Sequence, residues 1–556
     1  MWADHFVLRQ GHTVTAYIAT KNGVSTARAY ELFAQDYAAV FGVPLGHTSE
    51  MSKAQIIACN VDDADLRRYA KQRNISFERL HGRQGAFILK VHNNGQQLFV
   101  VGSDDQGTAF GLMTLSRQWG VSPFCWTDDV KPLPMDRYEL NVAYEQLFEA
   151  SVPRRTLILN GVNPENPNLQ DLVLRLRATG VTDTAHATPV AAGGVFRWNA
   201  EPTIQPYLGL QLQLQHPDLL RLESLRAMQH QLGSEWQLVL DHQLCGELQV
   251  RLFFEMAWDW PTFRDDPYFV EHLMDLHYAQ MAGFEFDWSR LMTDFFDLVF
   301  VSRPAASNSI AVLRRSIGES QQLPFQLSMD MSGRAMKADF AGAFFRNIEY
   351  PIHMATTQIQ RLCNMQLDRH GAGNSWSAED CRQRMDLLAD KLMNLAAPRW
   401  REMMGEISLP NVLVSQSLMR RDGTRMGSLC VGDNDTLPSD QDTEILYRSP
   451  KAVGTQVLPY EPLRLPLEYH TEQLHLRLSL LPVRDYGRRM SCLVSVDGGA
   501  PQLVTLNPEA YTGENQEFYD LLFTVDPQVE KHSITFRTQS DGIFLQRVWL
   551  CDMTID

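Results

Sequence analysis

The sequence predicts a multidomain protein of α/β + α + β architecture, and three observations predict it. At 556 residues the chain is too long for one hydrophobic core and must divide into several. Its hydrophobic period changes twice: mixed strand-like and helix-like segments give way to a long helical stretch, and that to short alternating strands. Turn signals mark the changes, the clearest being Pro132-Leu133-Pro134.

Residues 1–135 read as an N-terminal α/β domain. Val14 to Ala19 is a strand candidate, and Ser25 to Val40 carries apolar residues at helical spacing with Ser25 as its N-cap. Ala54 to Cys59, Gly85 to Val91 and Gln97 to Val101 are further strands. Residues 136–260 form a second α/β segment. In it Arg155 to Asn160 and Trp236 to Asp241 read as strands, Leu169 to Thr179 and Leu219 to Leu232 as helices, and 190–215 shows no strong period. Residues 261–408 read as a helical bundle built from Phe269–Ala282, Ser289–Val301, Phe340–Cys363 and Cys381–Leu395. Residues 409–556 read as a β-sandwich: Leu474 to Leu478 and Cys492 to Val496 alternate, and Asp497-Gly498 and Asp541-Gly542 are hairpin signals.

Composition excludes several classes. With 50 Lys+Arg against 66 Asp+Glu the net charge is −16, a poor match to a phosphate backbone, so no nucleic-acid partner is expected. No window approaches the length of apolar run that spans a bilayer, so no membrane partner is expected either. Met1-Trp2-Ala3-Asp4-His5 has neither a basic start nor an apolar stretch, which reads as cytoplasmic unless a signal was removed. The eight scattered cysteines form no C-x-x-C pair and read as buried thiols. A P-loop, a Gly-x-Gly-x-x-Gly run, H-E-x-x-H and Gly-x-Ser-x-Gly are all absent, and the histidines do not cluster, so neither cofactor nor metal is expected.

One stretch carries a specific resemblance. Val100-Val101-Gly102-Ser103-Asp104-Asp105-Gln106-Gly107-Thr108-Ala109-Phe110-Gly111 continues through Leu115-Ser116-Arg117-Gln118-Trp119-Gly120 and Pro123-Phe124-Cys125-Trp126 to Thr127-Asp128-Asp129-Val130. It resembles the signature closing the N-terminal domain of glycoside hydrolase family 115, the xylan α-glucuronidases. Gly246-Glu247-Leu248 with Phe253-Phe254-Glu255, Ala343-Phe344-Phe345-Arg346 with Glu349-Tyr350-Pro351, and Val496-Asp497-Gly498-Gly499 with Lys531-His532-Ser533 resemble later parts of that family in the same order. The resemblance implies a central (β/α)8 barrel, a fold that takes about 250 residues. Residues 136–260 supply about half of that, so the resemblance reduces here to a truncated TIM-barrel-like remnant.

The departures fall on the chemistry. Glycoside hydrolysis needs two carboxyl groups, one as proton donor and one as base or nucleophile. Where the family's first barrel strand ends in Asn-Asp-Glu, this chain has Asn160-Gly161-Val162, and a His-His-Glu-Pro motif appears as Ala185-His186-Ala187-Thr188-Pro189. The reading is therefore a carbohydrate-directed relative whose α-glucuronidase activity is lost or altered, with an active hydrolase releasing glucuronic or 4-O-methylglucuronic acid as the alternative. Asp241 and Glu247 flank the strand matching the last of the barrel and are the catalytic candidates; loop acids or helix-start charges are the competing reading. His186, Trp198, Trp126, Arg155 and Asp104 are the sugar-binding candidates: a histidine for a carboxylate or hydroxyl, aromatic faces for a pyranose, a guanidinium for a uronate. Each has a structural alternative, as a core or exposed residue. A glycan is the expected partner, and the resemblance allows a homodimer.

Overall fold

The computed structural model describes residues 5–19, 23–92, 95–127, 129–160, 163–182, 186–188, 194–199, 233–241, 246–266, 268–301, 310–334, 337–373 and 376–395, isolated positions at 217–231 and 398–399, and, beyond these, the strands and adjoining residues between 418 and 551. The N-terminal part runs β1 (His5–Arg9), β2 (Thr15–Ile18), α1 (Val24–Phe41), β3 (Gly46–His47), β4 (Ile56–Asn60), α2 (Ala64–Arg73), β5 (Phe87–His92), β6 (Gln97–Gly102) and α3 (Asp105–Gln118). The chain then runs through Pro132-Leu133-Pro134 without regular structure and comes back: β7 (Arg137–Asn141) pairs with β1, and β8 (Glu145–Phe148) pairs with β5. The resulting sheet has the order β3-β2-β4-β6-β5-β8.

Both faces of this sheet are covered, which is why β4 reads as unbroken Ile-Ile-Ala-Cys. Ile56 and Ala58 join Phe33, Tyr37 and Trp119 of the α1/α3 side, while Ile57 and Cys59 join Leu66 and Ala70 of α2. The signature glycines hold α3 against the sheet. A Cβ on Gly102 would drive into the Thr108 amide, and one on Gly107 into the Ala86 carbonyl. The start of α1 corrects one expectation: its N-cap is Gly23, not Ser25, and no side chain of its own segment caps it. The Ser25 and Thr26 amides instead donate to the carboxylate of Asp105, at 3.0 and 2.9 Å, across from α3.

The second α/β unit comprises β9 (Arg154–Asn160), α4 (Pro167–Leu176), β10 (Gly180–Thr182), β11 (Val195–Asn199) and β12 (Glu235–Asp241). All three pairings are parallel, in the order β10-β9-β12-β11. Among the described residues this sheet has four strands and does not close into a barrel. Helix α4 is capped by Asn166 and stops where Arg177 turns left-handed at φ 57°, three residues before β10.

The apolar side of β9, β11 and β12 (Leu157, Leu159, Phe196, Trp198, Trp236, Leu238) belongs to one large core. That core extends through α5 (Glu247–Trp258) into the helices Phe269–Ala282, Trp288–Val301, Ile310–Met331, Tyr350–Arg369 and Ala378–Leu395. The middle and helical segments thus share one core. The expected Phe340–Cys363 helix is broken by a wide π turn at Phe345–Glu349, an irregularity often found at functional positions.

Beyond residue 418 the described chain forms two antiparallel sheets of seven and four strands. Leu474, Leu476 and Leu478 are buried, as are Cys492, Val494 and Val496, so the alternation does place one face inward. Asp497 and Gly498 both have positive φ, at 52° and 73°, and lie between the antiparallel neighbours Met490–Val496 and Gln502–Leu506. The second hairpin signal, Asp541-Gly542, lies outside the described residues. No described helix is long and apolar enough to cross a membrane.

Candidate functional site

In open parallel sheets and barrels alike, ligands meet the carboxyl ends of the strands. Here that edge is polar. The register sets Asp241 of β12 opposite Asn160 of β9, Asn199 of β11 opposite Val239, and Thr182 of β10 opposite Ile158. Four neighbouring strands therefore end in Thr182, Asn160, Asp241 and Asn199. Asp241 closes β12 at this edge; its side chain lies outside the described residues.

Behind this edge the sheet carries a buried polar row. Gln237 donates to Glu235 Oε1 at 2.9 Å and to the Thr188 carbonyl at 3.0 Å, and Arg197 donates to Gln237 Oε1 at 2.7 Å and to the same carbonyl at 2.8 Å. The segment that holds His186 is thus laid against the sheet through the backbone of Thr188. His186 itself is exposed on a turn.

Glu247 opens α5 and is buried with Arg346 and Asp129. The guanidinium of Arg346 donates from Nε to Glu247 Oε1 at 3.1 Å, and its other two nitrogens hold the two oxygens of Asp129, Nη2 to Oδ1 at 3.2 Å. Thr127 Oγ1 adds a bond to Asp129 Oδ1 at 2.6 Å. Side chains of Glu247 and Arg346 are each 2% exposed, and that of Asp129 12%. Three of the sequence motifs, ending the N-terminal signature, opening α5 and entering the π turn, therefore meet in one ion cluster. Burial, the dominant influence, pushes the Glu247 carboxyl above its usual range; the Asp129 charge adds to this, while Arg346 and the nearby Asn347 amide work against it. Beside it His277 is fully buried and held neutral, its pKa pushed far down by burial and by Arg251 and Arg346.

The structure corrects four of the sugar-binding candidates or removes them from view. Arg155 is buried and grips backbone: it donates to the Arg177 carbonyl at 3.0 and 2.7 Å, to Val152 at 2.6 Å and to Pro153 at 3.1 Å. Its guanidinium lies 5.1 Å from the centre of the Trp258 ring, and burial pushes its pKa down to about 9. Its guanidinium is spent on backbone inside the fold rather than presented at the surface. Asp104 is the N-cap of α3, accepting from Gly107 N at 2.7 Å and from Gly85 N at 2.8 Å, so both of its oxygens are committed to the fold. Trp198 is 4% exposed in the central core. Trp126 sits in the short turn Pro123–Thr127, and its side chain lies outside the described residues.

Of the other acids, Asp259 caps the helix Trp260–Asp265, accepting from Thr262 N at 3.3 Å. Glu255 pairs with Arg117 and Arg177. The sequence reading missed Asp129 and Arg346. A signal was present: Arg346 follows Ala-Phe-Phe in a run destined for the core, and a lone cation there needs a buried partner. Among the described residues no group of three or more His, Cys, Asp or Glu could hold a metal ion.

No family model matches the chain, and no curated protein matches it in sequence. Among solved structures, a family GH115 4-O-methyl-α-glucuronidase with specificity for decorated arabinogalactans matches with a TM-score of 0.66 at 15% identity, covering 98% of this chain and 99% of that one. At that identity the likeness is one of fold, and it meets the resemblance read from the motifs. A GH138 enzyme targeting pectin rhamnogalacturonan II matches at TM-score 0.36 and 8% identity over 97% of both chains. A β-N-acetylhexosaminidase from Bacteroides fragilis matches at TM-score 0.19 and 12% identity, over 45% of this chain and 43% of that one. These last two likenesses are too weak to carry an argument.

Proposed function

We propose that this protein is a carbohydrate-directed member of the glycoside hydrolase family 115 lineage, acting on or binding a uronic-acid-bearing glycan, with its α-glucuronidase activity lost or altered. The observation that carries the reading is the fold match over 98% of the chain to a family 115 enzyme. Loss or alteration is favoured by the carboxylate-free Asn160-Gly161-Val162, by Thr188 in place of a glutamate, and by the commitment of Glu247 to a buried ion cluster. Each proton-transfer role is worth about 10²–10⁴ in rate, so a site stripped of its donor or base turns over poorly even when it binds.

One observation supports the active alternative. Asp241 stands at the carboxyl edge in register with Asn160, where an acid could meet a glycosidic oxygen. An inverting enzyme would need a second carboxylate about 6.5–9.5 Å from it.

The test is product release from glucuronoxylan, from small aldouronic acids and from a decorated arabinogalactan, with binding followed by calorimetry. Binding without release of free uronic acid supports the proposal. Release that disappears in D241N supports the active alternative. A folded protein that neither binds nor cleaves any of the three overturns both.

A further inference from the structure

Asp129 and Glu247 share one guanidinium in a site that water scarcely reaches. Among the described residues Arg346 gives Asp129 two of its nitrogens and Glu247 its Nε, and the Thr127 hydroxyl, shared with the Phe124 carbonyl, lies 2.6 Å from Asp129 Oδ1. Oε2 of Glu247 is buried with no hydrogen-bond partner among the described residues. The Asn347 amide alongside donates to the Ala343 carbonyl at 3.0 Å. Two ionised carboxylates on one cation would leave an uncompensated buried charge, which is far costlier than a proton on the less well-held group.

We infer that Asp129 outcompetes Glu247 for Arg346, so that the cluster stores one proton on Glu247. Of the other groups around Glu247, Tyr278 and His277, from the Phe269–Ala282 helix, are neutral, while the Asn347 amide of the π turn and the guanidinium of Arg251, one turn along α5 and bonded to Gln280 at 2.8 Å, favour the charged form and are outweighed by burial and by the hold of Asp129 on Arg346. Asp129 is thus a positioning residue: it acts on Glu247 through Arg346, without touching it. A carboxyl that retains its proton is what a general acid requires, and the same device serves a purely structural cluster equally well. The inference stands on the ion cluster alone and does not depend on the carbohydrate reading.

The experiment is infrared difference spectroscopy on the full chain, without glycan, following the carbonyl stretch of a protonated carboxyl as pH is raised from 4 to 9. Wild type is expected to show a band that persists above the ordinary glutamate range near ~4.3 and disappears in a single one-proton step. The band should be absent in E247Q. In D129N, where Arg346 is released to Glu247, the step should move to lower pH by at least one unit, a tenfold change in proton affinity. A wild-type band that vanishes at ordinary glutamate pH overturns the inference without any variant having to fold. So does a high-pH band that survives in folded E247Q, or a step unmoved in folded D129N. Glycan binding measured on the same samples reports separately on the proposed function.

Discussion

Arg175 and Asp36 form a two-pronged ion pair, at 2.8 and 2.9 Å, with neither side chain more than 6% exposed. The pair joins α4 of the central unit to α1 of the N-terminal sheet. A second such pair, Arg28 with Asp171 at 2.7 Å through each nitrogen, joins the same two helices with its arginine 39% exposed. Removing one partner of the first leaves a charge stranded in the core, which costs about 3–5 kcal/mol. D36A should therefore destabilise far more than D171A, and the double variant D36L/R175M should recover most of the loss. Urea unfolding followed at the α1–α4 junction checks this; equal losses for the two single variants would refute it.

Arg155 should behave as a structural residue. R155M strips donors from the carbonyls of Arg177, Val152 and Pro153, a loss on the order of 3 kcal/mol. Glycan affinity per folded molecule should not change. A variant that folds with wild-type stability and loses glycan affinity would make Arg155 a ligand contact after all.

The signature glycines should separate by surroundings. G107A meets backbone at Ala86, which cannot swing aside, and should cost on the order of 3 kcal/mol or prevent the N-terminal sheet from forming. Gly120 has φ 84°, but a methyl added there would meet nothing within 4 Å, so G120A should cost only the backbone strain, about 1–3 kcal/mol. Thermal unfolding of the two variants side by side gives the comparison; G107A milder than G120A would show the close packing to be wrong.

Acid should weaken the helical region through its histidines. Burial, with Arg251 and Arg346, depresses His277 well below its ordinary value, and burial, with Arg384 and Lys391, holds His353 at about 4. A histidine with a lowered folded pKa takes its proton first in the unfolded chain, so stability is lost as pH falls from about 6.5. The slope should be shallower by one proton in H353Q, which leaves His277 in place. A variant whose stability falls as steeply as wild type between pH 6.5 and 4 would contradict this.

How much of this can be read from the sequence depends on how local the cause is. The Phe269–Ala282 helix is legible to the residue because its own spacing sets its buried face. The alternation of Leu474, Leu476 and Leu478 is equally clear, since one buried sheet face imposes it. Strand β9 is legible, but the fate of its second residue is not. An arginine after Arg154 looks the same whether it faces a uronate or the Arg177 carbonyl, and a chain reversal 22 residues later decides. Asp129 and Arg346 are 217 residues apart, and nothing near either one names its partner. Only the fold brings the three motifs together and gives their charged residues a common purpose.

The capping of α1 by Asp105 also has a consequence for how the chain is born. A ribosome releases the amides of Ser25 and Thr26 some 80 residues before it releases the carboxylate that receives them. During that interval the amino end of the helix has neither the Asp105 carboxylate nor α3 and the central strand β6 beside it. Its folding is tied to contacts distant in sequence, which slows assembly and lengthens exposure of Phe33, Tyr37 and Phe41. The amino end of α1 is thus completed only once residue 105 has emerged, so the N-terminal sheet and α3 must assemble together rather than one element at a time.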